Sequence, residues 1–197
     1  YVNKKDFPKD GRLQLSSADI SIEECQFAPL LEKLISQDIQ DTLESYYGGY
    51  SRIINYHIYR NQRPANASKL KSYGATANWH TDGSTSESIK LFFMLSDVTE
   101  RNGPMEIISK KDTQNVIKNK KFDYPDRNGK TEKYINEFSE PVSLQGDAGS
   151  AFYALTNDAM HRATIPNEGE TRDLIVFYIT SSSKKRTVSQ QLQTAKY

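Results

Sequence analysis

The segment Asn78-Trp79-His80-Thr81-Asp82-Gly83 carries the residue types that bind divalent metals. In an extended chain, residues two apart project from the same face, so His80 and Asp82 can present an imidazole and a carboxylate to one point. A His-x-Asp pair also arises by chance, and a polar strand end is the alternative interpretation. The pair is a candidate two-ligand metal site that needs a third ligand.

His161 is the candidate third ligand. It lies far downstream, after the turn Gly146-Asp147-Ala148-Gly149 and an apolar segment that contains Phe152 and Tyr153. Two histidines and one carboxylate on one face of an octahedral ion leave three positions open, which is typical of non-heme Fe(II) oxygenases. We therefore predict that His80, Asp82 and His161 bind one divalent cation and carry the chemistry.

Arg172 is a candidate for holding an organic acid near that cation. It follows His161 by eleven positions and begins the most hydrophobic strand candidate, residues 174–179. An unpaired guanidinium is costly to bury, so Arg172 needs an anionic partner. Its rigid fork suits a carboxylate, as needed to hold the distal end of a dicarboxylate. Asp173 is the alternative partner, although adjacent strand residues face opposite ways.

Lys90 is the second candidate for contacting an acid. It shares one face of an apolar strand with Phe92 and Met94, so its amine is expected to face inward. A side chain that reaches out to water is the alternative. For His57, an ordinary sheet histidine is favoured over a residue that lines the pocket. Possible substrate contacts that the sequence does not rank are Tyr56, Tyr59, Arg60 and Tyr153.

Short strands make up most of the chain. Side chains alternate over residues 53–59, and turn residues separate the later apolar runs. Short strands without helices between them favour an antiparallel barrel or sandwich. The predicted later strands are 75–81, 89–98, 105–108, 142–144, 150–155 and 174–180.

A helix is predicted before the strands. Ser21 and Glu24 have capping-box spacing, apolar residues recur at helical intervals from Leu30 to Leu43, and Gly48-Gly49 ends the pattern. We expect this helix to pack on the sheet. The predicted organisation is one domain over 1–197, with a helical segment at 1–50, a core at 51–181, an excursion or lid at 110–137 and a C-terminal arm at 182–197.

Length and charge limit the classes of function. The chain has 197 residues, which suits a single domain. Its 26 Lys and Arg nearly balance 25 Asp and Glu, giving a net charge of +1. Because a nucleic-acid partner demands a basic excess, we expect a small-molecule substrate instead. Nothing in the sequence predicts the oligomeric state.

Cysteine usage and hydropathy bear on location. The single cysteine, Cys25, rules out an intramolecular disulfide and fits a reducing compartment. The longest apolar runs, 91–95 and 174–179, are far shorter than the roughly 20 residues that span a bilayer. No secretory signal is visible after Tyr1. We expect a cytoplasmic protein without a membrane span.

Segments 79–82, 90–98, 102–106 and 146–172 together resemble the phytanoyl-CoA dioxygenase-like family of Fe(II)/2-oxoglutarate-dependent oxygenases. In that family the His-x-Asp pair and the distal histidine bind iron, and an arginine soon afterwards binds the 5-carboxylate of 2-oxoglutarate. The resemblance gives these roles to His80, Asp82, His161 and Arg172, with Fe(II) as cofactor and 2-oxoglutarate as co-substrate. From its inward face, Lys90 is a candidate to contact either the 2-oxoglutarate carboxylate or an acidic substrate, and we place it with the co-substrate residues.

The resemblance also implies a fold and a reaction. The family fold is a double-stranded β-helix, a mainly β jelly roll whose sheets enclose the metal. The implied activity is a dioxygenase that hydroxylates a small molecule and releases succinate and CO2. Related halogenases have a small residue where this chain has Asp82, which favours hydroxylation. The alternative is a cupin-type metal-dependent isomerase, hydrolase or small-molecule binding module on the same fold.

Overall fold

The computed structural model describes residues 12–16, 28–64, 75–83, 87–124, 126 and 128–195. The predicted capping box of Ser21 and Glu24 lies outside the described residues, as does Cys25. The described helices are α1 (Ala28–Leu34), α2 (Gln37–Tyr47), α3 (Lys110–Lys118), α4 (Lys130–Phe138) and α5 (Val188–Thr194). The described strands are β1 (Arg12–Ser16), β2 (Tyr50–Gln62), β3 (Ile89–Met94), β4 (Met105–Ile107), β5 (Val142–Leu144), β6 (Ala151–Ala154), β7 (His161–Ala163) and β8 (Thr171–Ser182).

These strands form two antiparallel sheets. The larger has the order β1-β2-β8-β3-β6, and the smaller has the order β5-β4-β7. His80 adds a single antiparallel bridge to His161 of β7, which extends the smaller sheet by one residue. Two facing antiparallel sheets, with chain connections that pass from one sheet to the other, are typical of a jelly roll. The predicted mainly β fold is confirmed.

Alternating side chains give the larger sheet two apolar faces. Leu91 and Phe177 belong to a cluster on the face that packs against helix residues, whereas Phe92 and Val176 belong to a second cluster with Met105 of the smaller sheet. Since both faces are covered, β3 is buried along its whole length. The second cluster therefore marks the interior between the sheets, toward which Lys90 also points.

The helical segment before β2 differs from the single helix that the sequence predicts. It is divided into α1 and α2, because Ser36 adopts an extended conformation and its hydroxyl accepts a hydrogen bond from Ile39 N at 3.4 Å. Gly48, with a φ of 63°, ends α2 as predicted. Leu43 of α2 is buried in the same cluster as Ile53 of β2.

The predicted strand over 75–81 is wrong. Residues Ala75–Ala77 form a short 3-10 helix, and only His80 makes a β-bridge. The carbonyl of Asn78 accepts a hydrogen bond from the His80 ring instead of a neighbouring strand. The predicted strand over 89–98 is also too long, because β3 ends at Met94.

Helix α5, within the predicted C-terminal arm, contributes Leu192 to the core. Thr187 caps α5 through a reciprocal pair of hydrogen bonds with Gln190, and Leu192 is only 1% exposed. The buried amide of Gln191 accepts a hydrogen bond from Ile53 N at 2.9 Å. This N–H lies beside a register shift in β2, where the ladder leaves a donor that α5 satisfies.

The 110–137 excursion contains α3 and most of α4, which contact each other. Val116 of α3 and Ile135 of α4 are buried in one apolar cluster with Trp79. The division of the chain into one domain with these segments stays a prediction. No described helix is long and apolar enough to cross a membrane.

Candidate metal centre

Main-chain hydrogen bonds bring the two predicted histidine ligands together. His80 N donates to His161 O at 3.0 Å, and His161 N donates to His80 O at 2.9 Å. The two imidazole centroids are 4.3 Å apart. Both rings therefore enter the space between the sheets from neighbouring backbone positions, although the residues are distant in sequence.

Asp82 completes the group. Its amide donates to Thr156 O at 2.9 Å, which holds the residue beside the two histidines. One carboxylate oxygen of Asp82 lies 4.0 Å from His80 Nε2, and the other lies 3.6 Å from His161 Nε2. One ligand atom from each of the three residues lies within 4.8 Å of the others, so the group can hold a metal ion.

Each histidine has its Nε2 atom available for a metal. His80 Nδ1 lies 2.7 Å from the carbonyl oxygen of Asn78, and His161 Nδ1 lies 3.1 Å from that of Ala159. Since a carbonyl only accepts, each Nδ1 is the donor, and Nε2 is the ring nitrogen left to bind a metal. Burial, aided by the nearby His80, lowers the pKa of His161 to about 4, so that imidazole is neutral at pH 7.

Lys90 contacts the carboxylate directly. Its Nζ lies 2.6 Å from Asp82 Oδ2 and 4.7 Å from the ring centroid of Tyr178. Burial alone would raise the pKa of Asp82, but the charge and hydrogen bond of Lys90 outweigh it, so the pKa is lowered. Lys90 is 8% exposed, so the alternative of a side chain reaching out to water is wrong.

Arg172 lines the same cavity as the three predicted ligands. It is 4% exposed and stands opposite Asn61 in the β2–β8 ladder. The alternative partner Asp173 instead accepts two hydrogen bonds from Arg60, at 2.8 and 2.5 Å. The cavity measures about 250 Å³. Besides His80, Asp82, Lys90, His161 and Arg172, it is lined by Tyr59, Asn61, Thr76, Phe92, Met105, Ala163, Leu174, Val176 and Tyr178.

Among the unranked candidates, Tyr59 lines the cavity. Its hydroxyl lies 2.6 Å from His57 Nδ1 and 3.3 Å from the hydroxyl of Tyr178, and His57 Nε2 lies 2.9 Å from Asn55 Nδ2. His57 thus supports a cavity residue without itself lining the cavity.

The other three candidates lie elsewhere. Tyr56 is fully buried in the cluster on the helix face of the larger sheet. Arg60 is occupied by Asp173, and Tyr153 is an exposed residue that lines a separate groove beside β5 and β6.

Sequence reasoning missed Asn61 and Tyr178 as cavity residues. Even spacing along β8 places Tyr178 on the same face as Arg172, and this signal was present in the sequence. Asn61 was missed because the predicted strand ended at residue 59. Tyr124, whose ring centroid is 6.4 Å from that of His80, was missed because no local pattern links the excursion to the site.

The chain matches solved non-heme iron enzymes in fold. The epimerase SnoN in complex with Fe3+, alpha ketoglutarate and nogalamycin RO aligns with a TM-score of 0.58 at 14% identity, over 88% of this chain and 64% of that one. EctD from S. alaskensis, with 2-oxoglutarate and 5-hydroxyectoine, aligns with a TM-score of 0.57 at 13% identity, over 89% and 59%. The carbocyclase SnoK from nogalamycin biosynthesis gives 0.55 at 12% identity, over 85% and 62%.

These comparisons establish the fold class, but they do not assign the chain to a particular family of non-heme iron enzymes. At such identities the likeness is one of fold, and the chain covers 62% of the length of the SnoN epimerase structure from nogalamycin biosynthesis. No family model matches the chain, and no curated protein matches it. Two findings support the predicted cofactors, iron and 2-oxoglutarate. Solved structures with this fold contain these groups, and this chain has a group of three residues able to hold a metal.

Proposed function

We propose that this protein is an Fe(II)- and 2-oxoglutarate-dependent dioxygenase that hydroxylates a small molecule. The observation that carries the proposal is a single cavity lined by His80, Asp82, His161 and the buried Arg172. This chemistry needs three ligands on one face of the ion and a cation for the distal carboxylate of the co-substrate. Membership in the phytanoyl-CoA dioxygenase-like branch is the finer part of the proposal and rests on the sequence segments alone.

The donor set fits Fe(II). Two imidazole nitrogens and one carboxylate oxygen form the two-histidine, one-carboxylate set of non-heme iron sites. When bound, iron and 2-oxoglutarate supply the oxidising power, since O2 and 2-oxoglutarate are consumed, succinate and CO2 leave, and one oxygen atom reaches the substrate.

The chain's own residues bind, orient and exclude water. His80 and His161 offer Nε2, while their Nδ1 hydrogen bonds to carbonyls fix the ring orientations. Lys90 occupies one carboxylate oxygen of Asp82 and leaves the other for the metal. An ammonium has three donors, so Lys90 can also contact the co-substrate, as we predicted. Arg172 is proposed to grip the distal carboxylate of 2-oxoglutarate.

The surroundings of Arg172 favour the oxygenase over a cupin-type isomerase, hydrolase or binding module. Those alternatives need no dicarboxylate, so they predict that the arginine pairs with a protein acid away from the metal. Asp173, the alternative partner that the sequence offers for Arg172, is bound by Arg60. Arg172 lines the cavity that contains the metal ligands instead.

The remaining parts of the proposal concern substrate and location. A cavity of about 250 Å³ supports a small-molecule substrate, and the net charge of +1 offers little attraction for nucleic acid. A cytoplasmic location is proposed from the single cysteine. A single oxygenase domain over 1–197, with 110–137 closing over the site, is proposed on the sequence pattern.

Anaerobic titration with Fe(II) and 2-oxoglutarate tests the proposal. Chelation of the metal by 2-oxoglutarate is expected to produce a metal-to-ligand charge-transfer absorption band in the wild-type protein. The band is expected to need far more 2-oxoglutarate in Arg172→Ala and to be unchanged in Arg60→Ala, whose guanidinium lies outside the cavity. A wild-type protein that binds Fe(II) but gives no band at any 2-oxoglutarate concentration would rule out this co-substrate.

A further inference from the structure

The residues next to the two histidine ligands face away from the cavity. Trp79 precedes His80 and Arg162 follows His161, and neighbouring residues of extended chain point to opposite sides. Trp79 is 1% exposed and packs in the apolar cluster that includes Ile135 of α4. Helix α4 therefore covers the outer side of the two positions whose inner side carries the imidazoles.

Polar contacts join the same positions to α4. Glu132 Oε2 accepts hydrogen bonds from Trp79 Nε1 at 3.1 Å and from Arg162 Nη1. Arg162 Nε donates to Glu106 Oε2 at 2.7 Å, and its guanidinium lies 4.9 Å from the centroid of the Trp79 ring. These four residues, Trp79, Glu106, Glu132 and Arg162, are called the brace.

Glu132 is itself held in place. Its amide donates to Asp126 Oδ2 at 2.9 Å, and the preceding Thr131 amide donates to Asp126 Oδ1 at 3.2 Å. The Thr131 side chain is fully buried. The first turn of α4 is thus anchored independently of the metal site, and Glu132 is a fixed point for the other members of the brace.

The brace is joined to both histidines through short covalent links. Trp79 is one residue from His80, Arg162 is one residue from His161, and the two histidines exchange main-chain hydrogen bonds. Because the Glu132 carboxylate binds the side chains of both Trp79 and Arg162, it also restrains the relative position of the two imidazoles. Arginine suits this task because its planar fork can serve two carboxylates and also stack on an indole.

We propose that Glu132 and Arg162 are positioning residues that preset the separation of the His80 and His161 Nε2 atoms for one metal ion. Residues that orient metal ligands without touching the metal typically change affinity by about 10-fold to 100-fold when replaced. The inference rests on the metal-binding part of the proposed function and is independent of 2-oxoglutarate. On this view, α4 supports the ligands from behind, in addition to any closing role of the 110–137 excursion.

The test uses Co(II) alone with the full chain, so that 2-oxoglutarate plays no part. Glu132→Gln keeps an acceptor for Trp79 but removes the charge that binds Arg162, and Arg162→Lys keeps the charge but removes the fork. Glu137→Gln is the matched control, because Glu137 lies on the same helix, is exposed and pairs only loosely with Lys133, at 3.8 Å. We expect Co(II) affinity to fall about 10-fold or more in the first two variants and to stay unchanged in the control.

Tryptophan emission supplies a second readout, because Trp79 is the single tryptophan of the chain. In both brace variants we expect the emission of the metal-free protein to shift, with cooperative thermal unfolding retained. A shifted emission with Co(II) affinity within about 2-fold of the wild type would overturn the proposal, since the brace would then be only structural. If Glu132→Gln does not fold, an unchanged Co(II) affinity in Arg162→Lys would overturn the proposal by itself. If the wild type does not bind Co(II), the metal-binding part of the proposed function is itself contradicted.

Discussion

Replacing Arg172 with methionine removes the guanidinium and keeps an unbranched side chain in the cavity. Arg172 is 4% exposed and shares its cavity with the metal ligands, so a carboxylate that binds its guanidinium is largely desolvated. Truncating one partner of such a charge pair costs about 2 to 4 kcal/mol, which corresponds to roughly a 30-fold to 700-fold weaker affinity for 2-oxoglutarate. The affinity for Fe(II) alone is expected to stay the same, because Arg172 is not a metal ligand.

The assay is a comparison of two ligands on two proteins. Anaerobic titration of the Fe(II) protein gives the affinities of 2-oxoglutarate and of 2-oxopentanoate, which lacks the distal carboxylate. In the wild type, 2-oxopentanoate is expected to bind more weakly by the same roughly 2 to 4 kcal/mol. In Arg172→Met the two ligands are expected to bind about equally, because the group that separates them has lost its partner.

Equal weakening of both ligands by Arg172→Met would refute the reasoning. That result would mean that the residue supports the cavity without gripping the distal carboxylate. Arg60→Met is the matched control, since its guanidinium binds Asp173 outside the cavity and is 46% exposed. An exposed pair of this kind is worth at most about 1 kcal/mol of stability, and the control is expected to bind both ligands like the wild type.

Three further predictions follow from the metal site and the core. Lys90→Met is expected to lower the stability of the metal-free protein by about 1 to 3 kcal/mol, because Asp82 loses its buried cation. With Co(II) bound, the loss of stability is expected to be smaller, because the metal replaces that charge. An equal loss with and without Co(II) in thermal melts would contradict this. The metal-free protein is expected to lose up to roughly 3 kcal/mol as the pH falls from 6.5 to about 4, since the unfolded chain protonates His161 before the folded protein does. Urea unfolding across that range measures the slope, and His161→Phe should flatten it. Leu192→Ala is expected to cost about 2 to 5 kcal/mol of unfolding free energy, whereas a truly detached arm would tolerate it.

The site could be predicted from the sequence where the pattern is local. His80 and Asp82 are two residues apart, and Arg172 begins an unmistakable apolar strand, so their faces follow from strand geometry. The residue types make His161 a candidate partner of His80, but their pairing depends on a main-chain bridge between distant segments that no local pattern indicates. The contact of Lys90 with Asp82 was missed for the same reason, since the strand that carries Lys90 gives its inward direction but not its neighbour.

The errors in the fold have identifiable physical causes. Residues 75–81 have the composition of a strand, but most of their backbone groups are not paired with a neighbouring strand. The helical periodicity before β2 is continuous in the sequence, yet the Ser36 hydroxyl caps a new helix within it. The C-terminal arm has a polar sequence, yet α5 packs on the sheet and buries Gln191, whose amide oxygen accepts a hydrogen bond from a main-chain N–H of β2. Composition alone carries no information about such a partner.

The central claim is that His80, Asp82 and His161 bind one divalent cation in the cavity that contains Arg172. A crystal structure of the protein grown with Mn(II) tests it directly through anomalous scattering. We predict one anomalous peak at about 2.2 Å from the Nε2 atoms of His80 and His161 and from one carboxylate oxygen of Asp82. A protein that crystallises with Mn(II) bound elsewhere, or with the two imidazoles turned away from a common point, would contradict the account.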